Sequence, residues 1–295
     1  MAVYTHITET ELRGFLKGFD VGELKAFSGI ASGVTETNYL LMTTKGRFIL
    51  TLFEKRTKAE DIPFFAGLMA HLRKKSIPCP DVLGAPGKVA GKAALVTTFL
   101  PGAEVKTPSL AQLHAIGKLA AQMHVAGKDF PMTRENTMGL REWRRLIDAC
   151  GAQDELQTEL KWQEENPLPD LPRGVIHADL FPDNVFFEVA QLSGVIDFYF
   201  SCNDFFAYDL MLVANAWCHD KKEWHELLSG YEGVRPLTKD ERAHLTVLGR
   251  RAALRIIATR LYDWLHQDPN ALVTPKDPAP YIKILRFHQN GGFDA

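Results

Sequence analysis

Between residues 175 and 198 the chain reads VIHADLFPDNVFF and then GVIDF, a pattern of short apolar runs around fixed polar positions that few folds accommodate. His177, Asp179 and Asn184 form H-x-D-x-x-x-x-N, and Asp197 follows 13 residues after Asn184 at the end of an apolar segment. By chance the first pattern arises in roughly one chain of this length in a hundred. Each position suits phosphoryl transfer. A carboxylate is needed to orient an acceptor hydroxyl and take its proton, which points to Asp179. Mg²⁺ bridging the phosphates takes a few hard oxygen ligands and keeps its waters, which points to the Asn184 amide oxygen and the Asp197 carboxylate. A strand-turn-strand between those two residues would fold them back toward one metal. His177 is expected to orient the loop through hydrogen bonds, without acting on substrate.

The residues before this segment divide at Pro101-Gly102. Thr8 and Glu11 form a capping-box pattern that opens a first helix. The glycine-containing turn Gly29-Ile-Ala-Ser-Gly33 leads into an apolar segment, and RFILTLFE, entered through Gly46, reads as a strand paired with it. Residues 62–75 read as a helix with cations in its last turn, stopped by IPCP. AALVTTFL is one more buried strand. Beyond the break the pattern becomes helical: 109–127 ending at Gly127, about 140–163, and a long segment opened by a second capping box at Thr238 and Glu241 and running to about His266. The expected class is α+β. Residues 1–100 are expected to be strand-rich and joined through Pro101-Gly102 to a mainly helical 101–295.

Composition narrows the partners. With 34 basic and 36 acidic side chains the net charge is −2, which disfavours a protein that grips nucleic acid through its phosphates. No stretch approaches the roughly 18 apolar residues that span a bilayer. The four cysteines, Cys79, Cys150, Cys202 and Cys218, form no CxxC pair, and the N-terminal residues show no apolar leader. A cytoplasmic enzyme with small-molecule substrates is the expectation.

HADLFPDN followed by IDF resembles the catalytic segment of the aminoglycoside phosphotransferase and choline kinase group, which share the protein-kinase-like two-lobed fold. Within that group SGVTETNYLL, LTLFE, the R-x-N of Arg134 and Asn136, and HADLFPDNVFF resemble the homoserine kinase branch. The resemblance implies ATP and Mg²⁺ as cofactors and L-homoserine as acceptor, giving O-phospho-L-homoserine for threonine biosynthesis. It also implies phosphate contacts at Ser32 and Gly33, and adenine held at the hinge by Thr98, Phe99 and Leu100. In one respect the chain departs from the group. The phosphate-clamping cation on the strand after the turn is replaced by Thr51, and its glutamate partner falls near Ala66. Lys45, Arg47 and Lys55 are the cations that could substitute, or Mg²⁺ carries more of the charge.

An amino-acid acceptor needs a cation for its carboxylate and an acid for its ammonium. Arg134 and Arg255, with Arg141 and Arg260 as further arginines, are candidates for the first, and Asp204 for the second. Asp209, in FAYDLML, reads as a helix anchor. Choline, methylthioribose or an aminoglycoside as acceptor, and a nucleotide-binding protein without turnover, are the competing readings.

Overall fold

The computed structural model describes residues 4–30, 36–54, 56–151, 153–266 and 275–294. Ser32, Gly33 and Lys55 lie outside them. Helix α1 (Glu9–Leu16) starts at the expected capping box, with Thr8 Oγ1 accepting the Glu11 N–H and Glu11 accepting the Thr8 N–H. Strands β1 (Leu24–Gly29), β2 (Thr37–Thr43), β3 (Gly46–Phe53), β4 (Val82–Val89) and β5 (Lys92–Thr98) form an antiparallel sheet in the order β1-β2-β3-β5-β4. Alternation along β3 sends Phe48, Leu50 and Leu52 into one core with Leu12 and Leu16 of α1. Phe53 enters the main core on the other face, beside α2 (Ile62–Lys74). Two strands of that sheet, β1 and β4, were not among the sequence expectations. β1 carries one fully buried side chain and β4 one, so neither shows the apolar alternation of a strand with a covered face.

The chain after Thr98 is mostly helical. α3 (Leu110–Ala126) ends at Gly127, as its sequence indicated. The expected helix over 140–163 is two helices, α4 (Leu140–Ala149) and α5 (Asp154–Glu165), with Gly151 between them at φ 79°. β6 (Arg173–Ile176), β7 (Val185–Glu188), β8 (Gln191–Val195) and β9 (Cys202–Phe205) make two small antiparallel ladders, β6-β9 and β7-β8. α6 (Phe206–Trp217) and α7 (Lys221–Glu232) follow. The second capping box opens only the short α8 (Lys239–Ala243), and α9 (Leu245–Leu265) begins after His244. α10 (Ala279–Gln289) packs on α9. Among the described residues no helix is long and apolar enough to cross a membrane.

Candidate active site

The β7-β8 hairpin brings Asn184 and Asp197 to adjacent backbone, because Ile196 N–H donates to Asn184 O at 3.0 Å. His177 joins the two polar positions. Its Nε2 meets Ile196 O at 3.1 Å and its Nδ1 accepts the Asp179 N–H at 3.2 Å, which fixes the Nε2–H tautomer. Burial pushes the His177 imidazole down to about 4, so the ring is neutral, and it packs on Phe198 with centroids 4.7 Å apart. Asn184 Nδ2 donates to Asp179 O at 2.8 Å and to Asp179 Oδ2 at 3.0 Å. Two residues here have left-handed backbone, Ala178 and Asp197, both at φ 63°. For a residue with a Cβ that conformation costs roughly 1–2 kcal/mol, so surrounding contacts must hold it. At Ala178 they are visible. The Asp209 carboxylate of α6 accepts the His177 N–H at 3.2 Å and the Ala178 N–H at 2.8 Å, and Arg255 Nη1 of α9 donates to Ala178 O.

Burial raises the Asp179 carboxyl to about 6 against the opposing pull of Arg255, whose Nη2 lies 3.9 Å from Oδ1. Burial raises Asp197 further, to about 8, and the neighbouring Asp179 charge adds to it. Two carboxyls pressed out of water beside each other are a site that a cation would relieve. The donors fit Mg²⁺. Asn184 spends its amide nitrogen on Asp179 and leaves its oxygen free, while the Asp197 carboxylate makes no hydrogen bond to a side chain among the described residues. No cluster of three His, Cys, Asp or Glu exists among the described residues.

At the clamp position Thr51 is buried, its hydroxyl donating to Asn38 Oδ1 at 2.7 Å and accepting from Tyr199 at 3.4 Å. Tyr199 packs edge-on against Phe53 and Phe65, at centroid distances of 4.9 and 5.7 Å. Neutral side chains therefore fill the space of the absent ion pair. Lys45 is paired with Asp20, and Arg47 lies 4.0 Å over the Phe99 ring, so both are engaged away from this place. At the hinge Thr98 N–H donates to Asp81 O and Phe99 N–H to Arg47 O. Leu100 N–H and Phe99 O have no partner among the described residues.

A cavity of about 1060 Å³ opens beside Asp197. It lies between the 56–61 segment, residues 133–146 and α9. Among the described residues five cationic and six anionic side chains line it, so its charge is mixed and nearly balanced. Arg134 lines it, paired with Asp61 at 2.9 Å and stacked over Phe65 at 5.0 Å, with its Nε buried and unpartnered. Arg141 also lines it and makes no hydrogen bond or ion pair within the described residues. Asp204 is outside the lining, accepting from Asn136 Nδ2 at 2.6 Å and from Phe205 N–H at 2.7 Å. Arg255 is buried beneath the loop and does not line the cavity. Arg260 lies 4.6 Å over the Tyr281 ring.

Sequence reasoning missed three contributors: Tyr199, Asn38 and the grip of Asp209 on two loop amides. Asp209 left a trace, an acid in the otherwise apolar first turn of α6 that nothing local neutralises. The other two left none.

The family model for the phosphotransferase enzyme family matches residues 26–241. A homoserine kinase of Rhizobium meliloti is 48% identical over 98% of this chain and 95% of its own length. A homoserine kinase of Xanthobacter autotrophicus is 47% identical over 98% and 96%. Among solved structures, a spectinomycin phosphotransferase in complex with ADP and spectinomycin superposes with a TM-score of 0.64 at 15% identity, covering 97% of this chain and 95% of that one.

Proposed function

Because the chain belongs to the homoserine kinases of the phosphotransferase enzyme family, we propose that its Asp179 carries the transfer of a phosphoryl group from ATP to the hydroxyl of L-homoserine. Asp179 accepts the proton of the acceptor hydroxyl as its oxygen bonds to the γ-phosphorus, and the bond from that phosphorus to the bridging oxygen breaks, leaving ADP. Asn184 and Asp197 would hold Mg²⁺, which would supply charge neutralisation at the phosphates. Leu100 N–H and Phe99 O, unpartnered among the described residues, are the hinge groups for adenine, and Ser32 and Gly33 are the phosphate contacts that the family resemblance implies. With Thr51 and Tyr199 neutral at the clamp position, nucleotide affinity depends on Mg²⁺ more heavily than in a kinase with a clamping lysine.

His177 orients the loop, tying Asp179 to the backbone that carries Asp197. Arg134 stands in the cavity wall held by Asp61 and Ser201 O and stacked on Phe65, and Arg141, which lines the cavity without a hydrogen bond or ion pair among the described residues, is the arginine better set to meet the acceptor carboxylate. Arg255 and Asp204 act from behind, on the loop and on Asn136. The observation that carries the reading is the placement of Asp179, whose amide donates to His177 Nδ1 and whose carboxylate accepts from Asn184 Nδ2 at 3.0 Å, beside the Asn184 and Asp197 oxygens. The mixed charge of the cavity suits a zwitterion and not a polycation. ADP release with Mg²⁺-ATP and, in parallel, L-homoserine, choline, methylthioribose and an aminoglycoside is the test. Turnover confined to homoserine is expected; turnover only with another acceptor would overturn the acceptor assignment.

A further inference from the structure

Behind the catalytic loop runs a chain of buried polar groups that crosses four helices. Asp209 of α6, which holds the His177 and Ala178 amides, also receives His124 of α3, whose Nε2 lies 2.9 Å from Oδ2. His124 Nδ1 meets the Tyr231 hydroxyl of α7 at 2.9 Å. Arg235 Nη1 reaches the same hydroxyl at 3.0 Å, and its Nη2 reaches Glu241 Oε1 of α8 at 2.7 Å. His124, Asp209, Tyr231 and Glu241 are completely buried, and Arg235 is nearly so. Phe206 is sandwiched between the stacked His124 ring at 4.8 Å and the Arg235 guanidinium at 4.6 Å.

The polarity of this chain follows from donor counting. Arginine only donates, so the Tyr231 oxygen accepts from Arg235, and its single hydrogen is left for His124 Nδ1. Burial holds the Tyr231 hydroxyl above its ordinary range, so that hydrogen stays in place. Nδ1 is thereby an acceptor, and the proton sits on Nε2, pointed at Asp209. The Asp209 carboxylate serves three donors at once: His124 Nε2–H and two consecutive loop amides.

We propose that Tyr231 and Arg235 are positioning residues for phosphoryl transfer, fixing the tautomer of His124 so that Asp209 holds Ala178 left-handed and Asp179 in place. The inference rests on the role of Asp179 given above and concerns residues 50 or more positions away from it in the sequence, none of which lines the cavity. Displacing a reacting group by about 1 Å can cost up to about a hundredfold in rate, so a chain ending on the Asp179 loop has leverage.

Nitrogen-15 spectra of the histidine rings and steady-state kinetics of Tyr231→Phe, His124→Gln and His124→Leu test it. In the parent protein the His124 signals should show a protonated Nε2 and a bare Nδ1. Tyr231→Phe should lose that fixed pattern and lower kcat roughly tenfold with little change in either KM, a displacement smaller than the full ångström case. His124→Gln keeps a donor toward Asp209 and should recover most of the activity that His124→Leu loses. His288→Gln, a buried histidine off this chain, controls for packing damage and should leave kcat near the parent value. A parent ring protonated on Nδ1, or a Tyr231→Phe enzyme with unchanged kcat and the same tautomer, would overturn the proposal. So would a loss in His124→Leu that His124→Gln does not recover. The spectra are independent of turnover, so a wrong role for Asp179 would appear as an active Asp179→Asn enzyme and not in the tautomer.

Discussion

At the scale of single residues, the site stores its chemistry in two carboxyls displaced upward by burial. Asp179 at about 6 has to lose its proton before it can accept one from the acceptor, so kcat/KM should fall as pH drops through about 6. A profile flat down to pH 4 would contradict that base. For Asp197 the sign runs against stability. Its folded value of about 8 stands above the ordinary 3.8, so between those values the folded state binds a proton that the unfolded state has released. Without metal, stability should decline as pH rises across that window. Asp197→Asn removes the larger part of the decline, leaving the smaller contribution of Asp179 below about pH 6, and should melt higher than the parent at pH 8 in the absence of Mg²⁺, while gaining nothing from its addition. Thermal melts at pH 5 and pH 8, with and without Mg²⁺, decide it. Asp179, Asn184, Asp197 and His177 were legible in the sequence because their spacing is local to one loop and hairpin. Tyr199, Asn38 and Asp209 were not, because packing of separate elements assembles their partnerships.

At the scale of elements, caps were readable and breaks were not. Thr8, Ser109 and Thr238 each make the reciprocal hydrogen bonds of a capping box, and two of the three were evident from residue type and spacing alone. The helix expected over 140–163 continued an apolar period through Cys150 and Gly151, yet Gly151 takes φ 79° and separates α4 from α5. A glycine inside a periodic run is tolerated in a helix, so the sequence did not distinguish a helical glycine from a left-handed one. Nothing lies within 4 Å of a Cβ added there, so Gly151→Ala tests backbone strain alone. It should destabilise the protein by about 1 kcal/mol in a denaturant titration without changing kcat. No change in midpoint would mean that the turn accommodates alanine by relaxing. β9 escaped notice for a different reason. CNDF has a single buried position and becomes a strand only by pairing with β6, the strand that leads into the catalytic loop.

At the scale of the whole molecule, the α+β class and its strand-rich beginning were legible from the change of pattern at Pro101-Gly102. The cavity was not, since residues more than 200 positions apart line it together. Two ion pairs join its walls: Arg56, whose Nη2 donates to both Asp263 oxygens at 2.5 and 2.7 Å, and Arg134 to Asp61 at 2.9 Å. The first is substantially exposed, so its contribution to stability is about 1 kcal/mol or less and is screened by salt. Arg56→Ala should therefore change the melting temperature little while raising the KM for homoserine, as one wall of the cavity loosens; an unchanged KM would show that the strap does not shape the acceptor space. The central claim is that Asp179, held by the loop and hairpin around it, performs the proton transfer of the chemical step. A single-turnover measurement with Mg²⁺-ATP and L-homoserine, comparing the parent with Asp179→Asn, tests it most directly. The account predicts that the variant binds ATP as the parent does and forms O-phosphohomoserine on the order of 10²–10⁴-fold more slowly. A variant that transfers phosphate at the parent rate would contradict it.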